Sequence, residues 1–148
     1  MSTEEDLRAC LVCERVRMAQ EGRNPYLVAE LDHTIVVIGD HQFHRGYTLV
    51  LLKEHVRELH ELDSEVQLGQ FAEVMRAGKA VAMTFGPWKM NYACYGNSEP
   101  HLHWHIFPRR EDDPNRELPP WADWRQFDRH RIDDSEARAL ASRVRSAF

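Results

Sequence analysis

Ten residues restrict this chain more than any other stretch: His101-Leu102-His103-Trp104-His105-Ile106-Phe107-Pro108-Arg109-Arg110. Successive side chains of a β-strand point to opposite faces. Strict alternation therefore places His101, His103 and His105 on one face and Leu102, Trp104 and Ile106 on the other. One face carries chemistry; the other belongs to a core. Alternate residues of a strand stand roughly 6.5 to 7 Å apart, so neighbouring imidazoles can address adjacent atoms of one ligand or share a metal.

Short segments elsewhere supply a sheet for that strand. Thr3 opens a helix that carries Cys10 and Cys13 to about Met18, and Glu21-Gly-Arg-Asn-Pro25 breaks it. Tyr26 to Leu31 and Thr34 to Ile38 are apolar, β-branched runs separated by Asp32-His33, the pattern of a hairpin. Tyr47-Thr-Leu-Val-Leu-Leu52 is almost continuously apolar, as expected for a central strand covered on both faces. A long helix follows, capped by Asp63 or Ser64 and ended by Gly86-Pro87, with Leu68, Phe71, Met75, Ala82 and Phe85 as its apolar stripe and Val74 and Val81 beside it. Trp88 to Tyr95 reads as a strand, and Gly96-Asn97-Ser98-Glu99-Pro100 as the turn into the histidines. After Arg110 comes an irregular tail, then a helix opened by the Asp133-x-x-Glu136 capping box and carrying Ala139, Leu140 and Val144. The arginines of that helix, Arg138, Arg143 and Arg145, read as a solvated face. The expected architecture is α+β: a single domain with a mainly antiparallel sheet and one long helix packed on it.

Composition narrows the function. At 148 residues the chain suits one domain that buries roughly two thirds of its unfolded surface. No apolar run approaches the ~20 residues of a membrane helix, and the acidic opening Met1-Ser-Thr-Glu-Glu-Asp lacks a signal-peptide pattern, so a cytoplasmic protein with no membrane partner is expected. The net charge of −5 argues against nucleic-acid backbones as partners, although Arg109-Arg110 and Arg129-His130-Arg131 are locally basic. Three cysteines, an odd number, argue against a disulfide framework. They leave Cys10-Leu-Val-Cys13 as a metal or redox candidate and Cys94 as a core residue.

His-Leu-His-Trp-His-Ile-Phe resembles the His-φ-His-φ-His-φ-φ signature of the histidine triad superfamily, where φ is apolar. Gly46-Tyr-Thr-Leu-Val-Leu-Leu-Lys-Glu-His55 is similar to its glycine, strand and Lys-x-His segment, so the resemblance spans about residues 10 to 110. It implies a histidine triad domain over 1–110, with 111–148 as a C-terminal extension whose last helix packs on it. It further implies a homodimer that binds a nucleotide, adenine being the favoured base, and cleaves at the α-phosphate. His103 would be the nucleophile, forming a nucleotidyl-histidine, and His105 a donor to a phosphate oxygen, with His101 completing the catalytic set. Asn97 and Ser98 would bind phosphate at the turn and Asp40 the ribose hydroxyls, with Asn91 a further phosphate ligand. The loop after Asp40 is one residue shorter than in comparable members, and Tyr47 stands where many have a fourth histidine. Tyr47 hydroxyl, His44 or a water are the substitutes.

The branch of that superfamily beginning with a CxxC uses it for structural zinc. Here the resemblance implies Cys10, Cys13, His55 and His101 as a closed set of four ligands that leaves catalysis to His103. Implied substrates are dinucleoside polyphosphates or nucleoside phosphoramidates. A nucleotidyl transferase of the galactose-1-phosphate uridylyltransferase type, a hydrolase with a metal on all three histidines, and a non-catalytic nucleotide-binding module are the alternatives. Trp88 and Trp104 are expected in the core, and Trp121 and Trp124 packed on the domain or against a base or partner.

Overall fold

The computed structural model describes residues 3–148, apart from the side chains of residues 6–8. Five strands form one antiparallel sheet in the order β1-β2-β3-β5-β4: β1 Leu27–Glu30, β2 Thr34–Ile38, β3 Thr48–Leu52, β4 Lys89–Ala93 and β5 His103–Arg109. All five residues of β2 and of β3 are buried, because both sheet faces are covered. One face packs Val36, Ile38, Val50 and Ile106 against α3 (Ser64–Phe85) and α5 (Asp134–Arg145). The other packs Ile35, Val37, Leu49 and Leu51 against α2 (Leu11–Gln20), with Phe107 in the same cluster. Each fully buried aliphatic side chain contributes about 1.5–3 kcal/mol, so these two layers hold β3 and β5 rigidly beside each other.

The N-terminal helix is broken. α1 (Glu4–Ala9) stops short of Cys10, and Cys10, in extended conformation, caps α2 by accepting the Cys13 N–H on its sulfur. That break turns both cysteine sulfurs toward the sheet.

The long helix buries Val74 and Val81, expected beside the stripe, more deeply than the stripe itself, of which Phe85 packs against the core. Leu68, Phe71 and Met75 are 75%, 50% and 39% exposed, whereas Val74, Ala77, Gly78 and Val81 face the sheet. Small residues win this face because the helix lies close: a Cβ on Gly78 would stand 2.3 Å from the Tyr92 hydroxyl. Gly86, at φ 57°, caps the helix in the left-handed conformation that glycine adopts without strain.

Trp104 sits partly buried over that core and donates to Gln70 at 2.8 Å. Trp88 is not a core residue; it is 49% exposed with the Arg116 guanidinium over its ring. Cys94 packs, partly buried, beside Leu52, Leu62 and Leu102. In α5 the Asp133 carboxylate caps by accepting from Glu136 N–H at 2.8 Å. Its arginines are not all solvated, for Arg145 donates to the Leu27 and Val28 carbonyls.

After β5 the chain is pinned by Arg109, which is 1% exposed rather than part of a basic surface. Its guanidinium donates to Asp113, Asn91 and the carbonyls of Asn115 and Leu118. Among the described residues no helix is long and apolar enough to cross a membrane.

Candidate functional site

His103 and His105 project from β5 opposite Leu51 and Leu49 of β3, on the α2 side of the sheet. Their ring centroids are 4.8 Å apart. His103 Nδ1 lies 2.7 Å from the His101 carbonyl oxygen. A carbonyl only accepts, so Nδ1 holds the proton and Nε2 is the ring nitrogen available to a ligand.

The neighbouring imidazole is held differently. His105 Nδ1 and the Tyr47 hydroxyl are 2.6 Å apart, and the Tyr47 ring stacks on Phe107 at 4.1 Å. Glycine at position 39 permits this placement, since a Cβ there would stand 2.1 Å from the Tyr47 ring. Of the substitutes for a fourth histidine, Tyr47 is the one at hand. His44 is buried elsewhere, between Asp113 at 3.7 Å and Asp123 at 3.6 Å. Burial pushes the Tyr47 hydroxyl far above its usual range, so it stays protonated and can donate to His105. Burial, then the neighbouring His103 and His41, lower His105 to about 3. It is neutral near pH 7, and with Tyr47 donating to Nδ1 its proton sits on Nε2.

His41 is sandwiched between Tyr47 at 4.8 Å and Phe127 at 4.1 Å, and its buried Nδ1 has no hydrogen-bond partner among the described residues. Burial lowers it to about 4. His41 and His105 thus bind protons less readily folded than unfolded. The stability they contribute is complete above their unfolded value near 6.5 and is lost as pH falls toward their folded values. Each then costs about 2 kcal/mol at pH 5. The melting temperature should drop between pH 7 and pH 5, and the drop should shrink in His41→Phe, which keeps the stack and removes the titration. An equal drop in both proteins would refute this.

Two cavities meet at these histidines. The smaller, about 180 Å³, is walled by Leu11, Val12, Arg15, Asp40 and His41 as well as His103 and His105. Asp40 is therefore near the histidines, but its carboxylate is already paired with Arg15 at 2.5 Å. No local pattern in the sequence announces that partnership. The larger, about 500 Å³, has Asn97 and Ser98 in its wall with His103, His105 and Trp121. Asn91 is not brought to the histidines; its Oδ1 accepts from Arg109 at 3.0 Å.

His101 turns away from both cavities. It is fully buried, and Nε2 donates to the Leu52 carbonyl at 2.6 Å, which leaves Nδ1 as a bare lone pair. That Nδ1 faces Cys10 Sγ at 3.3 Å, Cys13 Sγ at 3.4 Å and His55 Nδ1 at 3.1 Å. His55 Nδ1 is in turn 3.2 Å from Cys13 Sγ, and all four atoms lie within 4.8 Å of one another. Tetrahedral zinc would set S···N and N···N edges of about 3.6 and 3.4 Å, a few tenths of an ångström from these. The donor set fits zinc, and the carbonyl behind His101 is the usual orienting partner of a ligating histidine. Burial and the adjoining Cys10 sulfur push the Cys13 thiol up to about 12. With all four positions filled by protein atoms, such a metal has no open site for substrate.

This fold and this strand of alternating imidazoles define a histidine triad protein. The sequence pattern of the HIT domain family matches residues 23–112, and the chain belongs to that family. Membership supports a nucleotide-binding, nucleotide hydrolase or transferase role. The chain is 30% identical to the protein Hit of Bacillus subtilis over 87 residues, 55% of this chain and 60% of that one. Among solved structures it resembles a histidine triad protein from Sinorhizobium meliloti, with a TM-score of 0.74 at 21% identity, covering 96% of this chain and 99% of that one. A zinc-bound histidine triad family protein from Mycobacterium smegmatis gives a TM-score of 0.66 at 24% identity, covering 95% and 99%.

Proposed function

We propose that this chain is a nucleotide hydrolase that cleaves at the α-phosphate of a nucleotide with a substituted phosphate, through a nucleotidyl-histidine on His103. The observation that carries the reading is the hydrogen bond from His103 Nδ1 to the His101 carbonyl. It leaves Nε2 with a free lone pair beside a turn bearing Asn97 and Ser98. In the first step Nε2 bonds to phosphorus while the bond to the leaving atom breaks, its electron pair leaving with that atom, which takes up a proton from solvent. His105 Nε2–H, oriented by Tyr47, donates to a non-bridging oxygen as charge builds there. In the second step water attacks phosphorus and gives up a proton to solvent, the P–N bond returns its pair to Nε2, and the nucleoside monophosphate departs.

Asp40 would hold the ribose, with Arg15 moving aside or sharing it, and adenine would lie over Leu11 and Val12. Zinc on Cys10, Cys13, His55 and His101 would fasten α2 to the sheet; the fit of the four donors and the zinc-bound Mycobacterium smegmatis protein support this. A homodimer is supported by β4, an edge strand of the sheet, and by the exposed Leu68, Phe71 and Met75 of α3. The unpaired cysteines suit a reducing, cytoplasmic setting.

The test is product analysis with diadenosine polyphosphates and adenosine phosphoramidates in ¹⁸O-labelled water, with and without a sugar phosphate as acceptor. Adenosine monophosphate carrying one labelled oxygen is expected. Unlabelled adenylated acceptor as the main product would make the chain a transferase, and nucleotide binding without turnover would make it a binding module.

A further inference from the structure

The extension beyond the matched residues 23–112 brings Trp121 to the histidines. Its ring meets His105 edge-on at 4.9 Å, Phe107 at 5.2 Å and Tyr95 at 5.1 Å. Tyr95 belongs to the segment after β4 and is 64% exposed. Both rings line the cavity of about 500 Å³ that opens on His103 and His105.

Trp121 is held firmly. Arg109 donates to the carbonyls of Asn115 and Leu118, and the Asn115 side chain donates to Asp123 at 2.7 Å. An aromatic wall presented on a fixed frame recognises a flat group without ordering a loop first. The charge of the cavity is equally specific. Glu99 is the one acidic side chain in its lining, and neither lysine nor arginine lines it. A polyphosphate arm would find no cation there and would face a carboxylate.

In-line displacement at phosphorus sends the leaving group away from the attacking nitrogen, so a phosphate at His103 needs room on two sides. The smaller cavity with Asp40 takes one arm of the substrate. We propose that the larger cavity is the subsite for the leaving arm, and that this arm is an uncharged planar aromatic group seated against Trp121 and Tyr95. The inference rests on the α-phosphate reading above and selects phosphoramidates or esters with aromatic leaving arms over dinucleoside polyphosphates.

The experiment compares kcat/KM for adenosine 5′-phosphoramidates of 2-phenylethylamine and n-hexylamine, whose reacting nitrogens are both alkylamines. Diadenosine triphosphate serves as the charged arm. The wild type should favour the phenylethyl compound about tenfold over hexyl, and by more over diadenosine triphosphate. That preference should fall to threefold or less in Trp121→Leu and in Tyr95→Ala. Tyr95 is exposed, so its variant folds even if Trp121→Leu does not. A wild-type ratio near one, a ratio that survives both changes, or faster turnover of diadenosine triphosphate would overturn the proposal. Should no substrate turn over, the hydrolase reading fails. Affinities then decide the subsite: tighter phenylethyl binding that is lost in Tyr95→Ala sustains it, and equal affinities for both compounds end it.

Discussion

His103→Ala releases adenosine monophosphate roughly 10⁴-fold more slowly than wild type, or not at all, with an unchanged melting temperature. The magnitude is that of removing a nucleophile rather than a contact, about 5.5 kcal/mol of transition-state stabilisation. Alanine leaves the His101 carbonyl without that donor, but His103 itself lines the cavity, so water entering the space its imidazole vacates supplies a replacement and the fold tolerates the loss. Rapid quench of the wild type into alkaline denaturant, in which a phosphorus–imidazole bond survives, should also trap phosphorus on one histidine-bearing peptide, and the variant should trap none. Tyr47→Phe provides the contrast: it removes a donor behind His105, slows turnover by roughly 10- to 100-fold and still forms the adduct. An active His103→Ala protein would transfer the chemistry to another residue.

The second large effect is on stability. Purified protein should contain about one zinc per chain, and Cys10→Ser/Cys13→Ser should contain none. Structural zinc contributes folding free energy directly, because the unfolded chain does not hold its ligands together. A loss on the order of 4 kcal/mol lowers the melting temperature of a chain this size by about 10 °C. The loss concentrates in α2, whose N-terminal cap is the Cys10 sulfur and whose two cysteines converge with His55 and with His101, just ahead of β5. Hydrogen exchange should therefore rise first over Leu11–Gln20. A wild type that is metal-free yet equally stable would remove zinc from the account.

Much of this architecture is legible in the chain because the relevant patterns are local. Alternation defined β5, the Asp32-His33 break defined the hairpin of β1 and β2, and the apolar run 47–52 defined β3. Where two apolar stripes share one helix, pattern alone does not choose between them. In α3 the larger side chains look like the core, yet the sheet accepts Val74, Ala77 and Val81, because contact at Gly78 demands a close approach. Trp88 misleads for the same reason, being apolar in sequence and at an edge in space. At the site, the Cys10, Cys13, His55 and His101 grouping came from resemblance and the four side chains do converge. The partnerships of Tyr47 with His105, Arg15 with Asp40 and Trp121 with His105 cross 58, 25 and 16 positions of chain respectively. No spacing rule reaches that far.

His101 joins two parts of the molecule through opposite ends of one residue. Its imidazole belongs to the Cys–His cluster, and its carbonyl decides which nitrogen of His103 keeps the proton. The residue is at once a rivet and a template. Rotating its peptide to suit a different ligand geometry would unseat the nucleophile's proton, and moving the nucleophile would pull on the anchor of the N-terminal helix. Redesign of either centre therefore has to treat both as a single mechanical unit, with residue 101 as its fixed point.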